Sequence, residues 1–345
     1  MLIRPIILGA VTPVLMASSM LLAGAACSAS SLTGKTVCLD PGHGGTAATD
    51  SYRVGPGGER EEWINLRVAL ELKKMLEAKG ARVLMTRTTD VDVPLAARAR
   101  LAREEKADLF LSIHHNATAD RSANFPILYY HGHASENAGG VALGRCVARR
   151  LRKALFRSDT PVRLCSDYVL FPNAGCAVLR ESYGIPGILG EASFFTNAEE
   201  EKRLKQPTYN RKEARAYCQA IVDFFALKPS PPVRPLDPET RLPVFKGLAE
   251  AERMDPEAQR WKQDYADGLE LLKRLDPANP PGNVETLHKA FELFTRSARS
   301  FPESPVARDC HLKRAQILDQ LAQPGAAAAE RRRAEEWYVP EGGGY

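Results

Sequence analysis

Thr36 to Gly45 reads TVCLDPGHGG. Val37, Cys38 and Leu39 are apolar and strand-like. Asp40, Pro41 and Gly42 stop the strand, and His43 follows inside a glycine-rich turn. A short buried strand that ends in a turn carrying His is a common way to hold a metal ligand at a sheet edge. The chain has only 7 His in 345 residues, so one placed like this marks a candidate site.

The flanking sequence sets the fold class. After a loop from Gly44 to Gly58, Glu61 to Lys79 has helical spacing through Ile64, Val68, Leu72, Met75 and Leu76, and Gly80 stops it. Arg82 to Thr86 reads as a second strand and Val93 to Glu105 as a second helix. Asp108 to Ile113 is a third strand, apolar enough for burial on both faces, and it runs into His114-His115-Asn116. Strand character follows at Pro126 to Tyr130, Ala177 to Arg180 and Gly187 to Gly190. Helical character follows at Asn137 to Leu155 and Thr208 to Leu227. This alternation predicts an α/β fold with a mostly parallel, twisted sheet flanked by helices. Ligand sites in such sheets lie at the carboxyl ends of strands. His43, His114 and Glu191 each fall just after a predicted strand.

Residues 33–227 therefore read as one catalytic-type domain. Lys228 to Pro243 holds six Pro and reads as an extended, semi-rigid linker. Residues 244–340 form a small all-α region, with helices at Glu250 to Leu275, Val284 to Ser300, Ser304 to Leu321 and Ala326 to Trp337. The stretch from Leu287 loosely resembles tetratricopeptide hairpins, without a clean second repeat; the alternative is a helical bundle packed on the first domain. Such a region offers a surface for a protein partner.

At the other end, Arg4 precedes an apolar run from Pro5 to Ala26, so residues 1–27 resemble a secretory signal peptide. The run closes on LLAGAACS, which resembles a bacterial lipoprotein site with Cys27 as the lipidated residue. Gly24 departs from the Leu usual three positions before that Cys, so cleavage near Ala25 stays open. Either route predicts export to the periplasm or cell envelope, with membrane contact only through a lipid on Cys27. No other stretch is apolar enough to span a bilayer. Net charge is +5, from 47 basic and 42 acidic residues. That suits an anionic wall polymer, and without a basic run interleaved with aromatics it excludes nucleic acid. Of the cysteines beyond Cys27, Cys165 and Cys176 flank a loop and are the pair to examine for a disulfide; Cys38 reads as a buried hydrophobe.

Four motifs in order carry a resemblance to the zinc-dependent N-acetylmuramoyl-L-alanine amidases of bacterial cell-wall turnover, amidase type 3. They are LDPGHGG (Leu39 to Gly45), EEWINL (Glu61 to Leu66), SIHHNA (Ser112 to Ala117) and GIPGILGEASFFTN (Gly184 to Asn197), with TRTTD (Thr86 to Asp90) in support. The resemblance spans Lys35 to Leu227. It implies one Zn²⁺ held by His43, Glu61 and His114, a set that suits zinc because imidazole nitrogen and carboxylate oxygen leave a fourth position open for water. It implies Glu191 as the carboxylate that handles the water's proton. Asn65, Asn116 and His115 are candidate groups for orienting ligands or touching substrate. Glu59 and Glu62 beside Glu61 also read as helix N-terminal acids; only the spacing to Asn65 in the family motif selects Glu61. His131 and His133 read as a loop-exposed pair. The short span between His114 and Glu191 leaves no room for an autoinhibitory helix, so the cleft is expected to be open.

The implied activity is hydrolysis of the amide between N-acetylmuramic acid and L-alanine in peptidoglycan. The alternatives are a zinc carboxypeptidase or endopeptidase acting on the stem peptide, and a non-catalytic wall-binding scaffold.

Overall fold

The computed structural model describes residues 31–48, 53–248 and 252–340. The N-terminal apolar run, Cys27 and the final glycines lie outside them. No helix among the described residues is long and apolar enough to cross a membrane.

The sheet is built around β3 (Leu109–Asn116), whose residues from Leu109 to Ile113 are wholly buried. β1 (Thr36–Pro41) lies parallel on one side of it and β6 (Gly187–Phe194) parallel on the other. β2 (Arg82–Met85) extends the sheet beyond β1. Beyond β6, β4 (Ile127–Tyr130) runs antiparallel, and β5 (Arg163–Ser166) pairs parallel with β4. The order is β2-β1-β3-β6-β4-β5. From β1 the chain crosses to β2 through α1 (Glu61–Glu77), then returns past β1 to β3 through α2 (Leu95–Glu104). The order thus reverses between β1 and β3, and the crevice at their carboxyl ends is where ligands bind in such sheets.

One face of the sheet is covered by α1, α3 (Ala138–Leu155) and α6 (Pro207–Phe225). Their Leu72, Leu143, Val147, Tyr217 and Ile221 pack on Leu39, Leu111 and Leu128. The other face carries α2 and α4 (Ala177–Glu181), but its core is finished by residues far along the chain. The helical region folds as α7 (Trp261–Lys273), α8 (Val284–Ser300), α9 (Ala307–Gln320) and α10 (Pro324–Glu336), each packed on the next. Leu242, Trp261, Phe301, Trp337 and Tyr338 join Phe110, Phe125, Tyr129 and Phe194 in one buried cluster. Phe301 is its keystone, with ring centroids 5.5 Å from Trp261, 6.1 Å from Phe125 and 6.3 Å from Phe194.

Two further tethers fix the helical region to the sheet. The proline-rich stretch lies along the start of α3: Gly139 N–H donates to the Pro232 carbonyl, and Asp237 N–H to Glu136 Oε1. The end of the chain pairs with β5. Ser166 N–H donates to Trp337 O and Val339 N–H to Leu164 O, covering a strand edge that would otherwise be open to other chains.

Two expectations are corrected and one strand is added. Ala177–Glu181 is helical; a run of five residues with two buried neighbours, Val178 and Leu179, fits either element, and Ala, Leu, Arg and Glu favour the helix. β5 escaped notice because Arg163–Ser166 is four residues long with no alternation. Cys165 and Cys176 form no disulfide, and all six described cysteines are free. Burial pushes both thiols well above their ordinary pKa, so they serve as small apolar fillers of the second core.

Candidate active site

Beyond β1 the backbone turns through the left-handed region at three successive residues, with φ of 57° at His43, 125° at Gly44 and 69° at Gly45. Two glycines make that turn cheap, and His43 bears the strain of a side chain there. Buried guanidiniums clamp the turn. Arg87 donates from Nε to the Pro41 carbonyl (2.8 Å) and from Nη2 to that of Gly42 (2.9 Å), and Arg98 donates to His43 O (2.8 Å). Asp40 anchors Arg98 in turn and accepts from Thr86 and Ser112 at 2.7 Å each. Gly42 is required for a different reason: a Cβ there would lie 2.1 Å from His114 Nε2. The missing side chain is the space in which the second imidazole sits.

Glu61 opens α1 and stands between the two imidazoles. Its Oε2 is 3.2 Å from His43 Nε2, and its Oε1 is 3.0 Å from His114 Nδ1. The neighbouring acids are engaged elsewhere, Glu59 with Arg67 and Glu62 with Arg60. Burial pushes the Glu61 carboxyl up, but His43 and His114 outweigh it and hold it well below the usual carboxylate range. Burial also holds His114 below its ordinary pKa, with partial relief from Glu61. Asn65, one turn along α1, donates to Glu61 Oε1 (3.2 Å) and to Gly42 O (3.3 Å).

His115 does not share this position. Its Nδ1 meets Asn65 Oδ1 at 2.9 Å and its Nε2 meets Glu213 Oε2 at 3.2 Å. With an oxygen acceptor at each nitrogen, the doubly protonated ring satisfies both, and Glu213 raises its pKa against the effect of burial. His115 thus braces Asn65, which braces Glu61. Asn116 uses Oδ1 to accept from the Ala117 N–H.

Glu191 lies on β6 directly beside His114 on β3, so both side chains leave the same face of the sheet. His43, Glu61, His114 and Glu191 line one cavity of about 350 Å³. Arg53 from the Gly44 to Gly58 loop and Leu170, Phe171 and Cys176 from the segment before α4 form other parts of its wall. No helix from the span between His114 and Glu191 lies across it, but the cleft is not open on all sides. Lys246, Leu248, Arg253 and Glu303 of the helical region close one flank. Sequence spacing gave no sign of these residues or of Arg53. His131 and His133 are buried, not loop-exposed; His131 holds Asp167 at 2.8 Å, away from this cavity.

The donor atoms of His43, Glu61 and His114 all lie within 4.8 Å of one another. A tetrahedral zinc site places its ligands about 3.4 Å apart, from bond lengths near 2.1 Å, so the donor types and their clustering suit that ion. Arg53 Nε sits 3.1 Å from His43 Nε2, and a ring nitrogen has one lone pair. An ion taken by that nitrogen displaces Arg53 from it.

Residues 37–223 match the model of a family described as N-acetylmuramoyl-L-alanine amidase. The chain is 31% identical over 194 residues to the N-acetylmuramoyl-L-alanine amidase LytC of Bacillus subtilis, covering 56% of this chain and 36% of that protein. It is 31% identical over 232 residues to the amidase AmiC of Escherichia coli O6:H1, covering 55% of this chain and 52% of that one. The chain therefore spans about half the length of these relatives or less. Among solved structures it is similar to the amidase AmiC2 of Nostoc punctiforme, with TM-score 0.49 and 28% identity over 56% of this chain and 99% of that one.

Proposed function

Because the chain belongs to the N-acetylmuramoyl-L-alanine amidase family, we propose that it hydrolyses the amide between the lactyl group of N-acetylmuramic acid and L-alanine in peptidoglycan. The observation that carries this reading is the placement of a zinc-type donor set, His43, Glu61 and His114, beside Glu191 in the next strand. Zinc bound there would supply Lewis-acid activation of the scissile carbonyl and of the attacking water. Glu191 takes the proton released by that water and delivers it to the departing alanine nitrogen. Asn65 fixes the Glu61 carboxylate, and Arg87 and Arg98 fix the turn that aims His43. Export follows from the N-terminal segment, with the mature protein either anchored at Cys27 or released after cleavage near Ala25.

A digest of purified sacculi, with and without a chelator, tests this. Mass spectrometry should find free stem peptides beginning at L-alanine, and the chelator should abolish them. Peptides shortened at the carboxyl end instead would identify a carboxypeptidase. Binding to sacculi without any release would identify a wall-binding scaffold.

Two measurements probe the metal set itself. Zinc takes neutral imidazole, and the His114 pKa is depressed below 6.5, so its proton competes only in acid. Affinity measured against a chromophoric chelator should be nearly level above pH 6.5 and fall only as pH drops through the depressed His114 pKa. Tighter binding in acid would exclude these ligands. Gly42→Ala should weaken zinc roughly 10–100-fold, the range seen when groups orienting a ligand are disturbed, because the new methyl occupies the place of the His114 ring. Circular dichroism should show the fold retained.

A further inference from the structure

The flank that closes the cavity lies wholly outside the residues matched to the family, which end at 223. We propose that this flank is the subsite for the peptide side of the substrate, in which the Lys246 ammonium donates to a peptide carboxylate and Glu303 accepts from a peptide N–H. This rests on the amidase reading above and specifies what its cavity recognises.

The flank is built, not draped. Leu248 N–H donates to Arg299 O at 2.8 Å, and Arg299 Nε donates back to Lys246 O at 2.9 Å. Gly247 lies so close to Pro302 that a Cβ would come within 2.6 Å of its ring. The same turn between α8 and α9 carries Glu303, which is 1% exposed. Glu303 Oε1 accepts from the Tyr129 hydroxyl of β4 at 2.9 Å and from Arg253. Three elements thus hold one carboxylate at the cavity wall. Its second oxygen, Oε2, is buried and has no hydrogen-bond partner among the described residues. A buried carboxylate oxygen without a donor carries an uncompensated desolvation cost, which a donor brought by a ligand recovers.

The cations on this wall differ in kind. Arg253 is engaged by Glu303 and by Leu248 O. Lys246 is exposed, and its backbone is fixed at the cavity's rim. An N–H acceptor and an exposed lysine lining the same flank are complementary to a peptide that bears a free carboxylate close to an amide. On the amidase reading, only the peptide side of the scissile bond has both groups. The sugar side carries hydroxyls and an uncharged acetamide.

The test uses the full-length, zinc-loaded protein and two probes, the dipeptide L-Ala-D-Glu and its diamide, titrated by NMR. The wild type should bind the free acid about tenfold more tightly than the diamide, as expected for one charge-assisted contact. Lys246→Ala should remove that preference and Lys246→Glu should reverse it, each leaving diamide binding within twofold. Glu303→Gln should weaken both probes. Equal binding of the free acid by the wild type and both Lys246 variants overturns the subsite, as does failure of the wild type to bind either probe. Hydrolysis of the matching muramoyl dipeptide, followed in parallel, separates the two readings. Lys246-dependent binding without hydrolysis overturns the amidase reading and keeps the peptide site.

Discussion

Glu191→Gln should slow release of peptide from purified sacculi by about 10²–10⁴-fold, the usual worth of a positioned general base, while zinc content stays unchanged. Gln keeps the volume and hydrogen-bonding shape of Glu but takes no proton from water. None of the three proposed ligands is altered, because Glu191 stands on β6 while they come from the β1 turn, the start of α1 and the end of β3. The contrast with His114→Ala is the control: that variant should lose metal and activity together. A Glu191→Gln enzyme within threefold of the wild type would show that another group moves the proton.

Deleting residues 228–345 should leave a chain that aggregates, or that stays compact without a cooperative thermal transition. The helical region contributes Trp261, Phe301, Trp337 and Tyr338 to the core beneath one face of the sheet. Without it, Phe125, Tyr129, Tyr168 and Phe194 would face water as a contiguous apolar patch of the kind that drives association. Binding of a hydrophobic dye and loss of near-ultraviolet dichroism would report this. Phe301→Ala is the milder form, and should cost about 3–5 kcal/mol in a denaturant titration, the range for removing a fully buried aromatic ring. A truncated chain that melts cooperatively at the full-length temperature would show that the second core closes without the helices.

What was readable in the sequence follows physical range. β1, β3, α1, α3 and α6 were legible because periodicity and stop signals are local. The bounds of α8 and α10 were legible for the same reason. A short helix, α5 (Ala198–Leu204), was missed although its signal was present: Asn197 caps it by accepting from Glu200 N–H, and three acids fill its first turn. The motif set singled out His43, Glu61, His114 and Glu191, and the fold brings all four to one cavity. The motif spacing to Asn65 selects Glu61 from the nearby acids, and in the fold Glu61 faces the imidazoles while Arg67 and Arg60 engage Glu59 and Glu62. The proline-rich stretch read as a spacer because composition records stiffness, whereas its hydrogen bonds to α3 depend on a neighbour about a hundred residues earlier. Arg53 and Lys246 were invisible for the same reason: no local pattern marks a residue whose role is set by tertiary contact.

The pairing of Trp337 to Val339 with β5 bears on the order of assembly. A chain synthesised from its N-terminus has the proposed ligands His43, Glu61 and His114 available by residue 114 and Glu191 by residue 191, long before the strand edge can be sealed. Tyr129 waits for Glu303 across a separation of 174 residues, and the Tyr130 hydroxyl for Glu336 O across 206. Contacts that distant in sequence form late, because their loops are costly to close. Mid-synthesis, the chain therefore passes through a stage with its proposed site residues already made, one cavity wall absent and a bare strand at its rim. Any factor that holds the chain extended until its last residues emerge protects it during that stage.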